Sequence, residues 1–385
     1  MNARRATKAG PTATASLLRR VTLALLLTSG GCSSIPAPRL PACHQTPAPP
    51  ISISPDGQTA RLRLDVLTYN IEGLGWPARR GRASDLSEIG RRLSALREAG
   101  KGPDVVLFQE MFSRAAVSGV EGAGYPALVA GPSRKSSRAL PAEGRTPGRR
   151  KLQHGEIGLR FASGGLAIAS RYPIALYQAE PFSHRACAGM DCLSNKGAVH
   201  ARIDIPGVPD PIELFNSHMN SKKASRASPS RTLASHQVQS AELAAFIGDR
   251  RNPDFPTVLG GDFNMRGSEE RFGVFEPLQP LILVHRYCLE TPSRCAVKMS
   301  WDGDAPWMDT QDLLFFKPGA RVVIRPIAVE AMFDGRPESP VLSDHDGFRV
   351  VYELSWPVAA QAHGEGCHAF TSPGLLIAQS ESTPA

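Results

Sequence analysis

The stretch SPVLSDHDGFRVVYELSW (residues 339–356) has two unlike halves. From Phe348 to Trp356, apolar and polar residues alternate as in a half-buried strand, whereas Ser343 is followed by three titratable groups, Asp344, His345 and Asp346. Ser, Asp and Gly commonly form turns before strands, so a turn alone explains this segment. The same irregularity recurs elsewhere. Asn70 follows VLTY, Gln109 and Glu110 follow VVLF, Asn216 and His218 come after ELF, Asp262 and Asn264 come after VLGG, and Asp312 precedes LLFF. Each end taken singly has a turn or cap explanation. If neighbouring strands bring all six to one edge, they form a pocket holding acids, amides and two histidines.

The rest of the chain gives that pocket a scaffold. RLRLDVLTYNI reads as a strand from Arg61, and SDLSEIGRRLSALREAG as a helix with Ser84 as its cap. PDVVLFQEMF, GGLAIASRYPI, AVHARIDI, IELFNSHMN, FPTVLGGDFNM and DTQDLLFF read as further strands, and RTLASHQVQSAELAAFIGDR as an amphipathic helix. Strands outnumber helices, no repeat of fixed period occurs and no G-x-G-x-x-G is present. A two-sheet α+β or α/β sandwich therefore fits better than a doubly wound nucleotide fold. Residues 131–160 and 221–231 are basic and rich in Gly, Pro and Ser, and read either as a phosphate-attracting rim or as solvated mobile insertions.

The chain has 385 residues and a net charge of +8. Five of those charges, Arg4, Arg5, Lys8, Arg19 and Arg20, lie in residues 1–31, which contain no acid, so the basic balance is weak evidence for a nucleic-acid partner. VTLALLL, from Val21 to Leu27, is too short to span a bilayer and reads as the core of a cleaved signal peptide. SGGC resembles a bacterial lipoprotein cleavage site that would leave Cys32 lipidated, although Ser29 stands where Leu is usual. The expected organisation is a signal peptide (1–31), a Pro/Ser-rich tether (32–60), a folded domain (61–356) and a C-terminal tail (357–385). The protein is expected to be exported, either as a cell-envelope lipoprotein or in secreted form, and monomeric. The six cysteines beyond Cys32 suit an oxidising compartment. Close spacing suggests Cys187 with Cys192 and Cys288 with Cys295, and elimination leaves Cys43 with Cys367. Sequence does not fix connectivity, and free thiols are the alternative.

Acids, amides and histidines at strand ends suit metal-assisted hydrolysis of a phosphate ester. Mg²⁺ takes oxygen ligands and needs few from the protein, so Glu110 and Asn70 suffice, with Mn²⁺ or Ca²⁺ as alternatives. Hydrolysis further requires a base for water and donors for the charged phosphoryl oxygens. His345, oriented by Asp312, fits the base, and His218 and Asn264 fit the donors.

TYNI, FQE, GGLAIASR, NKGAVHARI, FNSHMN, GGDFN, QDLLFF and LSDHD, in that order from about residue 62 to 355, resemble the endonuclease/exonuclease/phosphatase superfamily with its deoxyribonuclease I-like fold. The resemblance implies an α+β fold, a four-layer α/β/β/α sandwich of two packed mixed β-sheets. It implies metal-site roles for Asn70 and Glu110, with Asp344 as a further acid, and phosphoryl contact by His218. Asp262 and Asn264 would position water and stabilise the transition state, and Asp312 would orient His345. The family commonly has Arg-Ile/Leu-Asp-Tyr around that orienting acid where this chain has Thr310-Gln311-Asp312-Leu313, which makes Asp309 a rival.

Fold and mechanism do not select a substrate in this superfamily. Asn195-Lys196-Gly197 resembles the [SN]-K-G segment of neutral sphingomyelinases, placing Lys196, with Asn216, near a lipid phosphate. Sphingomyelin or a related phospholipid, and hence a membrane surface, is the favoured partner. An exported Mg²⁺-dependent nuclease is the alternative, and a catalytically inactive surface-binding protein is less favoured. Trp76, Trp301 and Trp307 are candidates for membrane contact or for packing over the sheet edge.

Overall fold

The computed structural model describes residues 35–42, 45–75, 78–298, 310 and 312–360. Its strands are β1 (Ser52–Ile53), β2 (Thr59–Asn70), β3 (Val105–Gln109), β4 (Ala127–Ala130), β5 (Ala167–Ser170), β6 (Ile174–Pro181), β7 (Gly197–Ile203), β8 (Ile212–His218), β9 (Thr257–Asp262), β10 (Ile282–Leu283), β11 (Ala296–Lys298), β12 (Asp312–Lys317), β13 (Val323–Met332) and β14 (Gly347–Pro357). The helices are α1 (Arg82–Glu98), α2 (Arg114–Gly122), α3 (Pro229–Arg250), α4 (Glu269–Leu278) and α5 (Val284–Glu290).

The alternation seen in the sequence becomes β14, in which Phe348, Val350, Tyr352, Leu354 and Trp356 are buried. It pairs antiparallel with both β13 and β2. One sheet runs β11-β13-β14-β2-β3-β5-β4, with β1 added on β2, and the other runs β10-β12-β9-β8-β7-β6. Both contain parallel and antiparallel pairs. Val66, Leu107, Val199, Leu214, Val258 and Leu314 belong to the core between the sheets. Helix α1 covers the outer face of the first sheet through Leu86, Ile89 and Leu93, and α3 covers the second through Leu243, Phe246 and Ile247. The result is the expected four-layer α/β/β/α sandwich of two mixed sheets.

Register aligns the polar ends. Strands β8 and β12 flank β9 with His218 and Asp312 both opposite Asp262, while β2 and β3 set Asn70 opposite Gln109. Glycines let β9 pack this tightly. A Cβ at Gly260 would lie 2.5 Å from Leu107 Cδ1, and one at Gly261 (φ +150°) would lie 2.0 Å from the Ser217 carbonyl oxygen.

Three expectations change. Ser84 does not cap α1: the helix begins at Arg82 after a left-handed Gly81, and the Ser84 hydroxyl donates to the Gly81 carbonyl at 3.1 Å. The 32–60 segment is in its described part no free tether, because Arg39 exchanges both backbone hydrogen bonds with Leu128 and Ser52–Ile53 pairs with β2. The 131–160 segment is pinned to the body: Asn195 Nδ2 donates to the Ser133 and Ser136 carbonyls at 2.7 and 2.9 Å, and Arg138 lies 3.2 Å from Glu180.

Disulfides join Cys187 to Cys192 and Cys288 to Cys295. Cys32, Cys43, Cys367, Asp309 and the three tryptophans considered for membrane contact lie outside the described residues.

Candidate active site

The sandwich edge where β2, β3, β8, β9 and β12 present their polar ends carries the cluster. Asn70 donates through Nδ2 to Asp262 Oδ2 at 2.9 Å and to Glu110 Oε1 at 3.2 Å, linking the two sheets. Ligand atoms of Glu110, His218 and Asp262 all lie within 4.8 Å of one another, a spacing one cation can bridge. Glu110 and Asn264 adopt left-handed backbone conformations, with φ of 60° and 54°. Such non-glycine conformations are uncommon and concentrate at functional sites.

His345 reaches this edge from the loop before β14. The Ser343 hydroxyl donates to the Asn70 carbonyl at 2.7 Å and accepts from the His345 amide at 3.2 Å, while Arg82 donates to the Ile71 and Leu342 carbonyls. These bonds fasten the SDH segment to the end of β2. The imidazole then meets Asp312 Oδ2 through Nδ1 at 2.5 Å, leaving Nε2 4.0 Å from Asp262 Oδ2. Burial opposes a charge on His345, yet Asp312, Asp262 and Glu110 outweigh it and hold the ring well above the usual histidine range.

His218 has the opposite surroundings. Lys196 Nζ lies 2.9 Å from its Nε2, and because an ammonium only donates, Nε2 accepts and the ring proton sits on Nδ1. Burial, then Lys196 and His345, drives its pKa well below the usual value. Burial pushes Asp262 up to about 6, with Asp312 adding to the effect and His345 and Lys196 opposing it. Burial also raises Glu110.

The remaining expected residues divide. Asn264 belongs to the cluster: its amide N–H bonds Asp262 Oδ1 at 2.9 Å and its Nδ2 donates to the Met219 carbonyl at 3.1 Å. Asn216 does not face a substrate. It is fully buried between the sheets, donating to the Phe108 and Ala167 carbonyls and accepting from Gln109, because those groups need partners away from water. Asp344 is half exposed, 3.5 Å from Arg79 and 4.0 Å from His345 Nε2, outside the Glu110 cluster. Lys196 lies at the site, but its three donors are taken by Asp191, His218 and the Met219 carbonyl, at 3.1, 2.9 and 3.0 Å. It positions His218 and has no donor left for a phosphate in this arrangement.

Two contributors were missed by sequence reasoning. Asp191, inside the Cys187–Cys192 loop, holds Lys196 and also accepts from the Ser221 amide at 2.6 Å. Glu72 accepts from the Asp344 amide and pairs with Arg79 and Arg82 at 2.8 and 3.5 Å. Spacing alone marks neither, although the IE following Asn70 and the short Cys-to-Cys loop were visible.

The donors fit a hard divalent cation. The Glu110 and Asp262 carboxylates and the His218 imidazole are gathered at one buried edge, and carboxylates crowded away from water are stabilised by a cation, whereas Asn70 turns Nδ2 towards both acids and its oxygen accepts from the Glu72 amide at 3.1 Å.

Residues 67–345 match the Endonuclease/Exonuclease/phosphatase family, and the chain belongs to that family. Its members are hydrolases acting on phosphodiesters. Among solved structures, sphingomyelinase C from Streptomyces griseocarneus superposes with a TM-score of 0.52 at 20% identity, covering 75% of this chain and 99% of that one. A double mutant of beta toxin from Staphylococcus aureus with bound magnesium ions gives 0.51 at 18% identity, over 75% and 99%. TDP2 from D. rerio with a single-strand DNA product gives 0.50 at 14% identity, over 75% and 98%. These likenesses establish the deoxyribonuclease I-like fold. No curated protein sequence matches the chain.

Proposed function

We propose that the protein is a Mg²⁺-dependent phosphodiesterase that cleaves sphingomyelin or a related phospholipid between phosphorus and the lipid oxygen. The observation that carries phosphodiester hydrolysis is the row His218, Asp262, Asp312 across three paired strands, with His345 held on Asp312 and Glu110 alongside. The lipid assignment draws support from Asn195-Lys196-Gly197, whose lysine bears on His218, and from the likeness to sphingomyelinase C.

Asp312 fixes the proton of His345 on Nδ1, so Nε2 is the atom that takes a proton from a water held by Asp262. That water forms the new bond to phosphorus, the bond to the lipid oxygen breaks, and the departing oxygen recovers a proton. Asn264 serves the charged phosphoryl oxygens, whereas His218 turns its accepting Nε2 towards Asp262 at 3.4 Å and its Nδ1–H is buried with no partner among the described residues, so the donor role expected of it is not assigned. Glu110 and Asp262 would hold the cation, which when bound supplies Lewis-acid polarisation and offsets the carboxylate charge that keeps His345 protonated. The N-terminal segment supports export, with lipidation at Cys32 as part of this proposal. Among the described residues no helix is long and apolar enough to cross a membrane.

The test is hydrolysis of sphingomyelin vesicles and plasmid DNA in parallel, with Mg²⁺ and with EDTA. Magnesium-dependent release of phosphocholine with intact plasmid is expected. Nicked plasmid with untouched lipid would make the protein a nuclease instead.

A further inference from the structure

A second charged constellation lies beyond the catalytic row. A cleft open to solvent is lined by Arg150, Glu156, Arg160, Arg185, Arg231 and the Cys187–Cys192 disulfide. Arg231 grips both carboxylate oxygens of Glu156 at 2.6 Å, neutralising the one acid there. Among the described residues no carboxylate forms an ion pair with Arg150, Arg160 or Arg185, so three guanidinium charges face one concave space. Arg160 is half-buried, with one N–H on the Phe182 carbonyl at 2.9 Å, and burial pushes its pKa down to about 10. Glu242 attracts Arg160 through space without forming an ion pair, so an external anion in the cleft would complete its neutralisation.

Exposed apolar side chains adjoin the cleft residues in sequence. Leu152 and Leu159 are 61% and 62% exposed, and Ile157, Phe161 and Met190 are 40%, 47% and 40% exposed. The segments that carry them run side by side: a Cβ at Gly155 would lie 3.1 Å from Met190 Cα, and the Phe161 amide donates to the Leu193 carbonyl at 2.7 Å. Exposed apolar side chains interleaved with uncompensated arginines are the combination that binds anionic bilayers, where apolar burial and charge attraction add.

We propose that this face docks on an anionic phospholipid surface, the arginine cleft taking the phosphate of one headgroup while Leu152, Leu159 and their apolar neighbours enter the interface. The docking face borders the catalytic row through a shared loop: Cys187 and Cys192 line the cleft, while Asp191 between them holds Lys196 against His218. It stands on these residues alone and holds whichever phosphodiester the enzyme cleaves.

Hydrogen exchange on the full chain tests it, in EDTA so that metal-dependent hydrolysis cannot contribute. Vesicles of phosphatidylcholine mixed with phosphatidylglycerol are expected to slow exchange in residues 150–161 and 187–193 about fivefold or more, and pure phosphatidylcholine vesicles to leave it unchanged. Arg150→Glu with Arg185→Glu, and separately Leu152→Ser with Leu159→Ser, should each abolish that protection; all four side chains are exposed, so folding should be retained. Equal protection by both vesicles, or none by either, overturns the proposal. So does protection by inorganic phosphate or by an oligonucleotide without protection by the mixed vesicles, which would make the cleft a small-anion or nucleic-acid site.

Discussion

His218 and His345 carry the same side chain to the same edge of the sandwich, one at the end of β8 and the other two residues before β14, yet their neighbours hold them in opposite proton states. His345 has carboxylates around it and an Asp312 contact of 2.5 Å, so its charge survives burial. His218 loses its proton to burial, and an ammonium 2.9 Å away adds to the effect. A histidine's role is thus set by the sign of the charge packed on it. One ring becomes a proton handler oriented by an acid, and the other a neutral ring whose Nε2 accepts from a lysine.

Removing the proton handler breaks this comparison most severely. His345→Ala should lower kcat by about 10²–10⁴-fold, the usual contribution of a general base, with the thermal midpoint little changed. A loss below about tenfold would remove His345 from that role. Lys196→Met should cost less, about ten- to a hundredfold, because Lys196 acts by placing His218. Its pH profile should also shift, as His218 without the ammonium regains a proton closer to neutral pH. An unchanged profile would show that Lys196 does not set the state of His218.

His285 sharpens the comparison as a third case, with neither ring nitrogen hydrogen-bonded among the described residues and the ring set edge-on against Phe348. Burial alone pushes it down to about 3. A depressed folded value means that its stability contribution is fully present above the unfolded value near 6.5 and is lost as pH falls from there toward 3. His285→Phe should therefore flatten the fall in stability below pH 6.5 by about 1.4 kcal/mol per pH unit, read by urea unfolding at several pH values. An identical slope would mean that His285 keeps its proton when folded. Least affected should be Asp344→Asn, which removes a half-exposed ion pair with Arg79 and should change kcat less than about fivefold. A larger loss would return Asp344 to the metal cluster.

The reliability of the sequence reading followed the range of the forces involved. Period-two alternation and the polar ends of apolar runs identified β2, β3, β8, β9, β12 and β14, and with them Asn70, Glu110, His218, Asp262 and Asp312, because burial imposes both patterns locally. The 131–160 segment read as a rim or a mobile loop because composition cannot register its fastening, which depends on Asn195, Glu180 and Arg231, each distant in sequence. Asn216 looked like a site residue for the related reason that a polar strand residue can face either a pocket or the opposite sheet, and only packing decides.

The proposed mechanism requires opposite proton states in the two site histidines. Side-chain ¹⁵N NMR of the metal-free protein from pH 5 to 8 should find His345 protonated and His218 neutral, with its proton on Nδ1, across the whole range. Two rings titrating together near 6.5, or a charged His218 beside a neutral His345, would contradict the proton states on which the proposed mechanism rests.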